Sequence, residues 1–155
     1  MLREGYPFTT LVKESKHQGI ANGIRKIQKG QDGRFIYMDP WSKAVRQILY
    51  SLKKNEIVCL IADEKRKHTG IYVDFFGEPA LTATGPATLS LRTGAPILPI
   101  FIVRNEDHSH HIFIEPQLEY NLNSNTTEDI YTITTAYTIV IEKYIRMYPD
   151  QWFWI

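Results

Sequence analysis

Two short, nearly continuous apolar runs constrain the fold of this chain most strongly. They occupy residues 56–62 and 97–103. The first has the composition of a strand buried on both faces of a parallel sheet, and the second is expected to form a hairpin with residues 110–115. Residues 40–54 and 127–147 instead repeat apolar side chains about once per helical turn, which predicts amphipathic helices. Strands that alternate with helices predict an α/β fold with a mixed sheet flanked by helices, in which residues 56–62 form a central strand.

Shorter elements complete the predicted pattern. Strands are predicted at residues 8–13, 34–38, 71–76 and 110–115, and helices at residues 16–29 and 85–93. Asp39 is expected to cap the helix that has Pro40 in its first turn. Residues 77–79 (GEP) are expected to turn the chain after a strand, and Gly94 is expected to end a helix.

Composition excludes several classes of function. The 155 residues carry 18 Lys and Arg against 17 Asp and Glu, a formal net charge of +1, and 43% of them are hydrophobic. This balance is typical of a globular domain, and a net charge near zero gives no strong electrostatic reason to expect a nucleic-acid partner. No apolar segment reaches the roughly 18–20 residues of a membrane-spanning helix. The single cysteine, Cys59, excludes an internal disulfide and a cysteine-built zinc site, and its apolar surroundings predict a buried, reduced thiol.

Common catalytic motifs are missing from the sequence. It contains no G-x-S-x-G nucleophile elbow, no G-x-x-x-x-G-K-[ST] phosphate loop and no G-x-G-x-x-G dinucleotide motif. His108, His110 and His111 suggest a metal, but neighbouring strand residues point to opposite faces, so solvated turn residues are the better interpretation. The basic run at residues 65–68 (KRKH) fits phosphates or acidic lipid head groups as well as it fits a solvated loop.

Residues 84–86 (TGP) open one of the predicted helices and invite a functional interpretation. Glycine lets a ligand approach the backbone closely, and free N–H groups at a helix start favour an anion or a developing oxyanion. Plain turn chemistry explains the same residues. Arg92, about two turns further along, suits a phosphate or a structural salt bridge equally well. Asp63 follows an apolar strand at its carboxyl end, the edge at which open α/β sheets bind ligands.

Four motifs between Asp63 and Arg104 carry a resemblance to a known family. They are Asp63 itself, residues 75–80 (FFGEPA), residues 82–87 (TATGPA) and residues 92–99 (RTGAPILP). In this order and spacing, and with the ending YPDQWFW, they resemble the lipid A late acyltransferases, the lauroyl and myristoyl transferases of lipopolysaccharide biosynthesis. The resemblance extends over nearly the whole chain. It implies the αβ sandwich of the glycerolipid (lysophospholipid) acyltransferase superfamily.

A membrane-associated acyltransferase is the function that the resemblance implies. Such an enzyme transfers a fatty acyl chain from an acyl carrier protein thioester to a hydroxyl group of a lipid A precursor, at the cytoplasmic face of the bacterial inner membrane. A histidine and an acidic residue of an H-x4-[DE] motif act on the hydroxyl proton, backbone donors stabilise the oxyanion, and no cofactor or metal is required. The substrate-binding residues that the resemblance suggests are Lys13, Arg25, Asp63, Gly77, Thr84, Gly85 and Arg92.

The catalytic pair is missing from the matching position. In the family, the H-x4-[DE] motif precedes the equivalent of residues 6–8 by about one helix, which places it before Met1. One such match exists here, His110 to Glu115, but it falls in a predicted strand, where the two residues face opposite sides and lie roughly 16 Å apart. Residues 1–155 are therefore expected to be the C-terminal two-thirds of a single acyltransferase domain, N-terminally truncated and inactive alone.

Two smaller departures from the family pattern concern the acceptor. The family's Y-R-P-x-x-N-like run is reduced here to the cation at Lys13, and Pro40 replaces a basic residue that often holds a substrate phosphate in the superfamily. An acyltransferase that acts on another glycolipid or on a phospholipid is therefore one alternative. The other alternative is a non-catalytic module that binds an acyl chain or acyl carrier protein, with the basic run at residues 65–68 facing the acidic carrier.

Overall fold

The structure is a computed structural model that describes residues 7–13, 17, 19, 22–23, 25–26, 34–63 and 70–152. It divides into two compact units, Met1–Ile61 and Ala62–Ile155, and each is described by itself. Most of the predicted helix at residues 16–29 and all of the basic run at residues 65–68 lie outside the described residues.

A small parallel sheet forms the first unit. Its described elements are β1 (Phe8–Val12), β2 (Arg34–Tyr37), α1 (Trp41–Lys53) and β3 (Ile57–Cys59). The strand order is β2-β1-β3, and both pairings are parallel. The strands expected at residues 8–13 and 34–38 are confirmed to within one residue. The central position expected for residues 56–62 is wrong in this sheet, because β1 lies in the middle; apolar composition reports burial and carries no information about strand order.

The start of α1 differs from its prediction. Pro40 itself occupies the N-cap position with an extended backbone (φ −76°, ψ 140°), and the Lys43 N–H donates to its carbonyl at 3.0 Å. Asp39 is therefore not the cap. The inward side of α1 is correctly predicted, since Ala44 and Ile48 are buried. In the neighbouring strand β3 the thiol of Cys59 is half-buried and not fully buried as expected, and this burial raises its pKa.

The second unit combines two antiparallel hairpins with two helices. Its elements are β4 (Ile71–Phe75), β5 (Glu78–Thr82), α2 (Gly85–Thr93), β6 (Ile100–Arg104), β7 (His110–Ile114), α3 (Thr126–Met147) and a 3₁₀ turn (Pro149–Gln151). The hairpins are β4–β5 and β6–β7. The α/β class is confirmed, with the described strands of the chain divided among three small sheets. Among the described residues, no helix is both long and apolar enough to cross a membrane.

The β4–β5 hairpin was only half predicted. Its turn consists of Phe76 and Gly77, both with positive φ (58° and 86°), and Pro79 already pairs with Asp74 in the ladder. The expected turn at residues 77–79 is therefore wrong by about two residues. A two-residue turn of type I′ needs positive φ at both positions, which a phenylalanine rarely adopts and which the sequence therefore does not suggest.

Helix α3 forms the centre of the second unit. It packs against α2 and β4, and Ile133, Tyr137 and Ile145 are buried along it. Its Tyr144 ring stacks on Phe101 of β6 with centroids 3.7 Å apart. The helix begins where it was expected, because the Asn125 side chain accepts the Thr127 N–H as an N-cap.

Strand β6 begins later than the apolar run at residues 97–103 suggested. Pro96 and Pro99 lack backbone N–H donors, and the ladder with β7 begins only at Ile100. The opposite side of this hairpin from α3 carries exposed isoleucines, namely Ile100, Ile102, Ile112 and Ile114.

Candidate functional site

A two-residue connection, Ala83–Thr84, joins β5 to α2; we call it the β5–α2 junction. Thr84 is the N-cap residue of α2 (φ −93°, ψ 3°), and its carbonyl accepts the Thr88 N–H at 2.9 Å. Within the described chain, its side chain makes no capping hydrogen bond. The first N–H groups of α2 therefore lack the partner that an N-cap side chain normally supplies, and Pro86 has no N–H to satisfy.

Gly85 is the first residue of α2, and the space beside it is open. A Cβ atom built on Gly85 would meet no described atom within 4 Å. By contrast, a Cβ on Gly70 would lie 2.5 Å from the Thr82 carbonyl oxygen. Packing within the described chain therefore explains the glycine at position 70 and does not explain the one at position 85. The close approach of a ligand to Gly85 remains a prediction.

Helix α3 holds the β5–α2 junction through a buried tyrosine. The Tyr137 hydroxyl donates a hydrogen bond to the Ala83 carbonyl, and only 4% of Tyr137 is exposed. Burial raises the pKa of Tyr137 to about 12, so the hydroxyl stays protonated and remains a donor throughout the neutral range. One turn into α2, Ala87 is fully buried. Tyr137 and Ala87 thus attach the β5–α2 junction to the core, while the space beside Gly85 is open.

At the other end of β5, the hairpin turn is held by the same helix. The Phe76 N–H donates to Glu142 Oε1 at 2.9 Å, and the Arg146 guanidinium lies 4.5 Å from the centre of the Phe76 ring. The Gly77 N–H donates to Asp74 Oδ1 at 3.2 Å. The φ of +86° at Gly77 favours glycine for the turn alone, so its proposed contact with substrate rests on the resemblance only.

Asp63 and Arg92 are exposed and lie away from the start of α2 along the chain. Strand β3 ends at Cys59, so Asp63 follows it at a distance of four residues and not directly at the strand end as expected. Arg92 lies in the last turn of α2, about 10 Å along the helix axis from Gly85. A cation there interacts favourably with the negative end of the helix dipole.

The two remaining candidates belong to the first unit. Lys13 directly follows β1 and is exposed. Arg25 is also exposed, and its guanidinium lies 5.6 Å from the centre of the Tyr37 ring in β2. Of the seven predicted substrate-binding residues, the structure places Thr84 and Gly85 at one junction, with Gly77 at the opposite end of β5.

Glu115, the acidic member of the His110 to Glu115 match, has structural partners. Its Oε1 accepts hydrogen bonds from Lys143 Nζ at 2.8 Å and from the Tyr144 hydroxyl at 2.6 Å. His110 lies at the other end of β7, opposite Arg104 in the hairpin. The prediction that this pair is not a catalytic pair agrees with this placement.

Stability near Glu115 should depend on pH. The Lys143 and Tyr144 hydrogen bonds lower the pKa of Glu115 from its ordinary value of 4.5. The unfolded state therefore binds a proton at Glu115 more tightly than the folded state does. The contribution of the Glu115 carboxylate to the unfolding free energy is complete above about pH 4.5 and is lost as the pH falls below that value. We expect Glu115→Gln to flatten the acid limb of the unfolding free energy measured by urea denaturation, whereas the exposed Glu119→Gln should not. Equal acid limbs for both variants would contradict this.

Sequence reasoning did not identify the hydrogen bonds that two tyrosines of α3 make. The helical spacing of residues 127–147 places Tyr137 and Tyr144 on the apolar side of the helix, and their burial agrees with that. Their hydroxyl partners lie 54 and 29 residues away in sequence. A spacing of seven residues signals a shared helix face, but it carries no information about what each hydroxyl meets there.

The comparison with protein families decides the assignment. The sequence model of the family described as "Bacterial lipid A biosynthesis acyltransferase" matches residues 1–155. The chain belongs to this family. The resemblance drawn from the four motifs between Asp63 and Arg104 is therefore confirmed at the level of the family.

Individual relatives within this acyltransferase family are named for different acceptors. The chain is 35% identical over 146 residues to a phosphatidylinositol mannoside acyltransferase of Mycobacterium tuberculosis (strain CDC 1551 / Oshkosh). This alignment covers 94% of this chain and 44% of the mycobacterial protein. The chain is 34% identical over 116 residues to the lipid A biosynthesis palmitoleoyltransferase of Escherichia coli (strain K12), with 72% and 36% covered. It is 28% identical over 171 aligned positions to the lipid A biosynthesis lauroyltransferase of the same strain, with 100% and 54% covered. The chain thus spans about half the length of the curated relatives it matches.

Proposed function

We propose that the natural protein containing this chain transfers a fatty acyl chain from an acyl carrier protein thioester to a hydroxyl group of a lipid A precursor. The match of the acyltransferase family model to all of residues 1–155 carries this proposal. The order of the motifs from Asp63 to Arg104 supports it. Residues 1–155 represent, in this proposal, the C-terminal two-thirds of one acyltransferase domain.

The proposed chemistry divides between residues of this chain and the H-x4-[DE] pair that the resemblance implies for an acyltransferase of this family. The acceptor oxygen attacks the thioester carbonyl while the histidine removes its proton; the C–O bond forms, the C–S bond breaks, and the proton passes to the thiol of the carrier. Backbone N–H groups at the start of α2, near Gly85, stabilise the oxyanion. The open space beside Gly85 supports this role, since a reacting carbonyl must lie within hydrogen-bond distance of the backbone.

The other substrate contacts are proposed from the resemblance. Lys13, Arg25 and Arg92 are exposed cations in the structure, and they suit phosphate groups of the acceptor or the acidic carrier. Asp63, Gly77, Thr84 and Gly85 complete the proposed set. Transfer takes place at the cytoplasmic face of the bacterial inner membrane, where the membrane surface presents the lipid acceptor and the acyl carrier protein supplies the donor.

A different glycolipid is the second candidate acceptor. The mycobacterial relative, named for phosphatidylinositol mannoside, is 35% identical to this chain, at least as similar as the lipid A enzymes compared with it. The proline at position 40 and the reduced run around Lys13 also depart from the lipid A pattern. Both acceptors present a sugar hydroxyl on an anionic lipid, so the chemistry at Gly85 is the same for either.

The test supplies both acceptors to the natural protein, expressed from its own gene and purified in detergent. Acyl carrier protein loaded with fatty acyl chains of several lengths is the donor, and the product is followed by mass spectrometry. Transfer to the lipid A precursor is the expected result. Transfer only to phosphatidylinositol mannoside would replace the first acceptor by the second, and transfer to neither would contradict the proposed function.

The 155-residue chain by itself should not turn over. It contains no H-x4-[DE] pair at the family's position, and the general base contributes a factor of about 10²–10⁴ to such reactions. Under the same assay conditions, its product formation should equal that of a control without protein. Measurable turnover by the isolated chain would show that the catalytic base lies within residues 1–155.

A further inference from the structure

Helix α3 touches the backbone around β5 at both ends of the strand. Glu142 accepts the Phe76 N–H at the hairpin turn before β5, and Tyr137 donates to the Ala83 carbonyl immediately after it. Their partners, the Phe76 N–H and the Ala83 carbonyl, are main-chain groups. Neither belongs to the β4–β5 ladder, because β5 pairs only from Glu78 to Thr82. These contacts therefore determine how the backbone enters and leaves the strand.

The Tyr137 contact controls a specific peptide plane. Ala83 lies between the last residue of β5 and the N-cap residue of α2, and it is buried. Its carbonyl belongs to the same peptide plane as the Thr84 N–H, so fixing one end of the plane orients the other end. Gly85 follows directly, with open space beside it. A rotation of this plane would turn the Thr84 N–H directly and would displace the Gly85 N–H, which belongs to the next plane, through the Thr84 backbone.

We infer that Tyr137 is a positioning residue for acyl transfer, because its buried hydroxyl holds the Ala83 carbonyl and so orients the Thr84–Gly85 backbone toward the reacting carbonyl. The inference rests on the proposed function. Tyr137 touches no reacting atom in this scheme. It acts through the β5–α2 junction, and its hydroxyl is the part of the side chain that matters.

Tyr144 provides a matched control on the same helix. It lies two turns beyond Tyr137, is 7% exposed, and has its pKa raised to about 12 by burial and by its hydrogen bond to Glu115. Its hydroxyl contact lies beside the β6–β7 hairpin and not at the β5–α2 junction. The substitutions Tyr137→Phe and Tyr144→Phe therefore each remove one hydroxyl that donates a hydrogen bond, which is buried for Tyr137 and partly buried for Tyr144, and only the first affects the junction.

The kinetic test compares these two variants in the natural protein. We expect Tyr137→Phe to lower kcat by about tenfold with little change in the KM for the acyl donor, since misdirected oxyanion donors weaken the transition state more than the ground state. Tyr144→Phe should keep the kcat of the parent, although it also removes a hydrogen bond of α3 and lowers the thermal midpoint. Equal losses of kcat in the two variants, or an unchanged kcat in Tyr137→Phe, would overturn the inference.

A second measurement separates this inference from the proposed function. Amide hydrogen exchange in the natural protein should become faster at Thr88, whose N–H donates to the Thr84 carbonyl, in Tyr137→Phe and stay unchanged there in Tyr144→Phe. Protection that is equal in both variants refutes the positioning role even if the parent transfers acyl chains. A parent that transfers nothing refutes the proposed function, and the role of Tyr137 in catalysis with it, whatever the exchange data show.

Discussion

Substitution of Gly85 by valine is expected to lower kcat/KM for acyl transfer by about 100-fold in the natural protein, the size of effect that a displacement of roughly 1 Å at a reacting centre produces. The physical reason is steric, because the new side chain would occupy the open space in which the substrate carbonyl is proposed to lie. The protein itself should tolerate the change, since no described atom lies within 4 Å of the new Cβ. The measurement is the initial rate at several donor concentrations, together with the thermal midpoint.

Two alanine variants complete this experiment. Gly85→Ala should give a smaller loss of activity at unchanged stability, because one methyl group displaces the substrate less than a valine side chain does. Gly70→Ala should instead lower the thermal midpoint, since its Cβ would lie 2.5 Å from the Thr82 carbonyl oxygen. If the kinetics of Gly85→Val are unchanged, Gly85 serves only the backbone turn into α2. The main structural support for the proposed site would then be lost.

The second large effect concerns stability. Ile133→Ala is expected to lower the unfolding free energy of the second unit by about 2–5 kcal/mol, the usual result of emptying a fully buried aliphatic site. Ile133 is 0% exposed in the middle of α3, and it lies one turn before Tyr137. Urea denaturation of the 155-residue chain, followed by the helix signal in circular dichroism, measures the change.

Ile139→Ala is the matched control for this prediction. The same substitution occurs on the same helix, six residues further along, at a side chain that is 60% exposed. Its effect should stay within about 0.5–1 kcal/mol, because an exposed isoleucine leaves no cavity and alanine is the better helix former. Similar losses for the two variants would mean that the assigned orientation of α3 is wrong.

The helices of this protein could be predicted because their signals are local. Pro86 at the start of α2 and Gly94 after its end (φ 72°) bound that helix at the expected residues. The apolar spacing along residues 127–147 predicted the longest helix to within one residue, and the Asn125 cap at its start was found only in the structure. Backbone conformation at such positions is governed by the residue itself and by neighbours within one turn, so little tertiary information was needed.

The β4–β5 hairpin and the order of strands in the parallel sheet could not be predicted from local sequence signals. The segment Glu78–Thr82 contains a proline and an alanine and lacks the usual composition of a strand. It is a strand because it pairs with β4 along its whole length. The turn places Phe76 at positive φ, a conformation held in place by Glu142, 66 residues away in sequence. Conformations that a distant side chain stabilises leave no local signal.

The family, the α/β class, the helix bounds and the position of Gly85 in a helix-opening motif all followed from the amino-acid sequence, since each depends on short-range chemistry or on the order of motifs along the chain. Only the tertiary structure placed Tyr137 on the Ala83 carbonyl and Lys143 and Tyr144 on Glu115. The physical reason is that a hydrogen bond between buried groups depends on how helices and strands pack, and many packings are compatible with the same pattern of apolar residues.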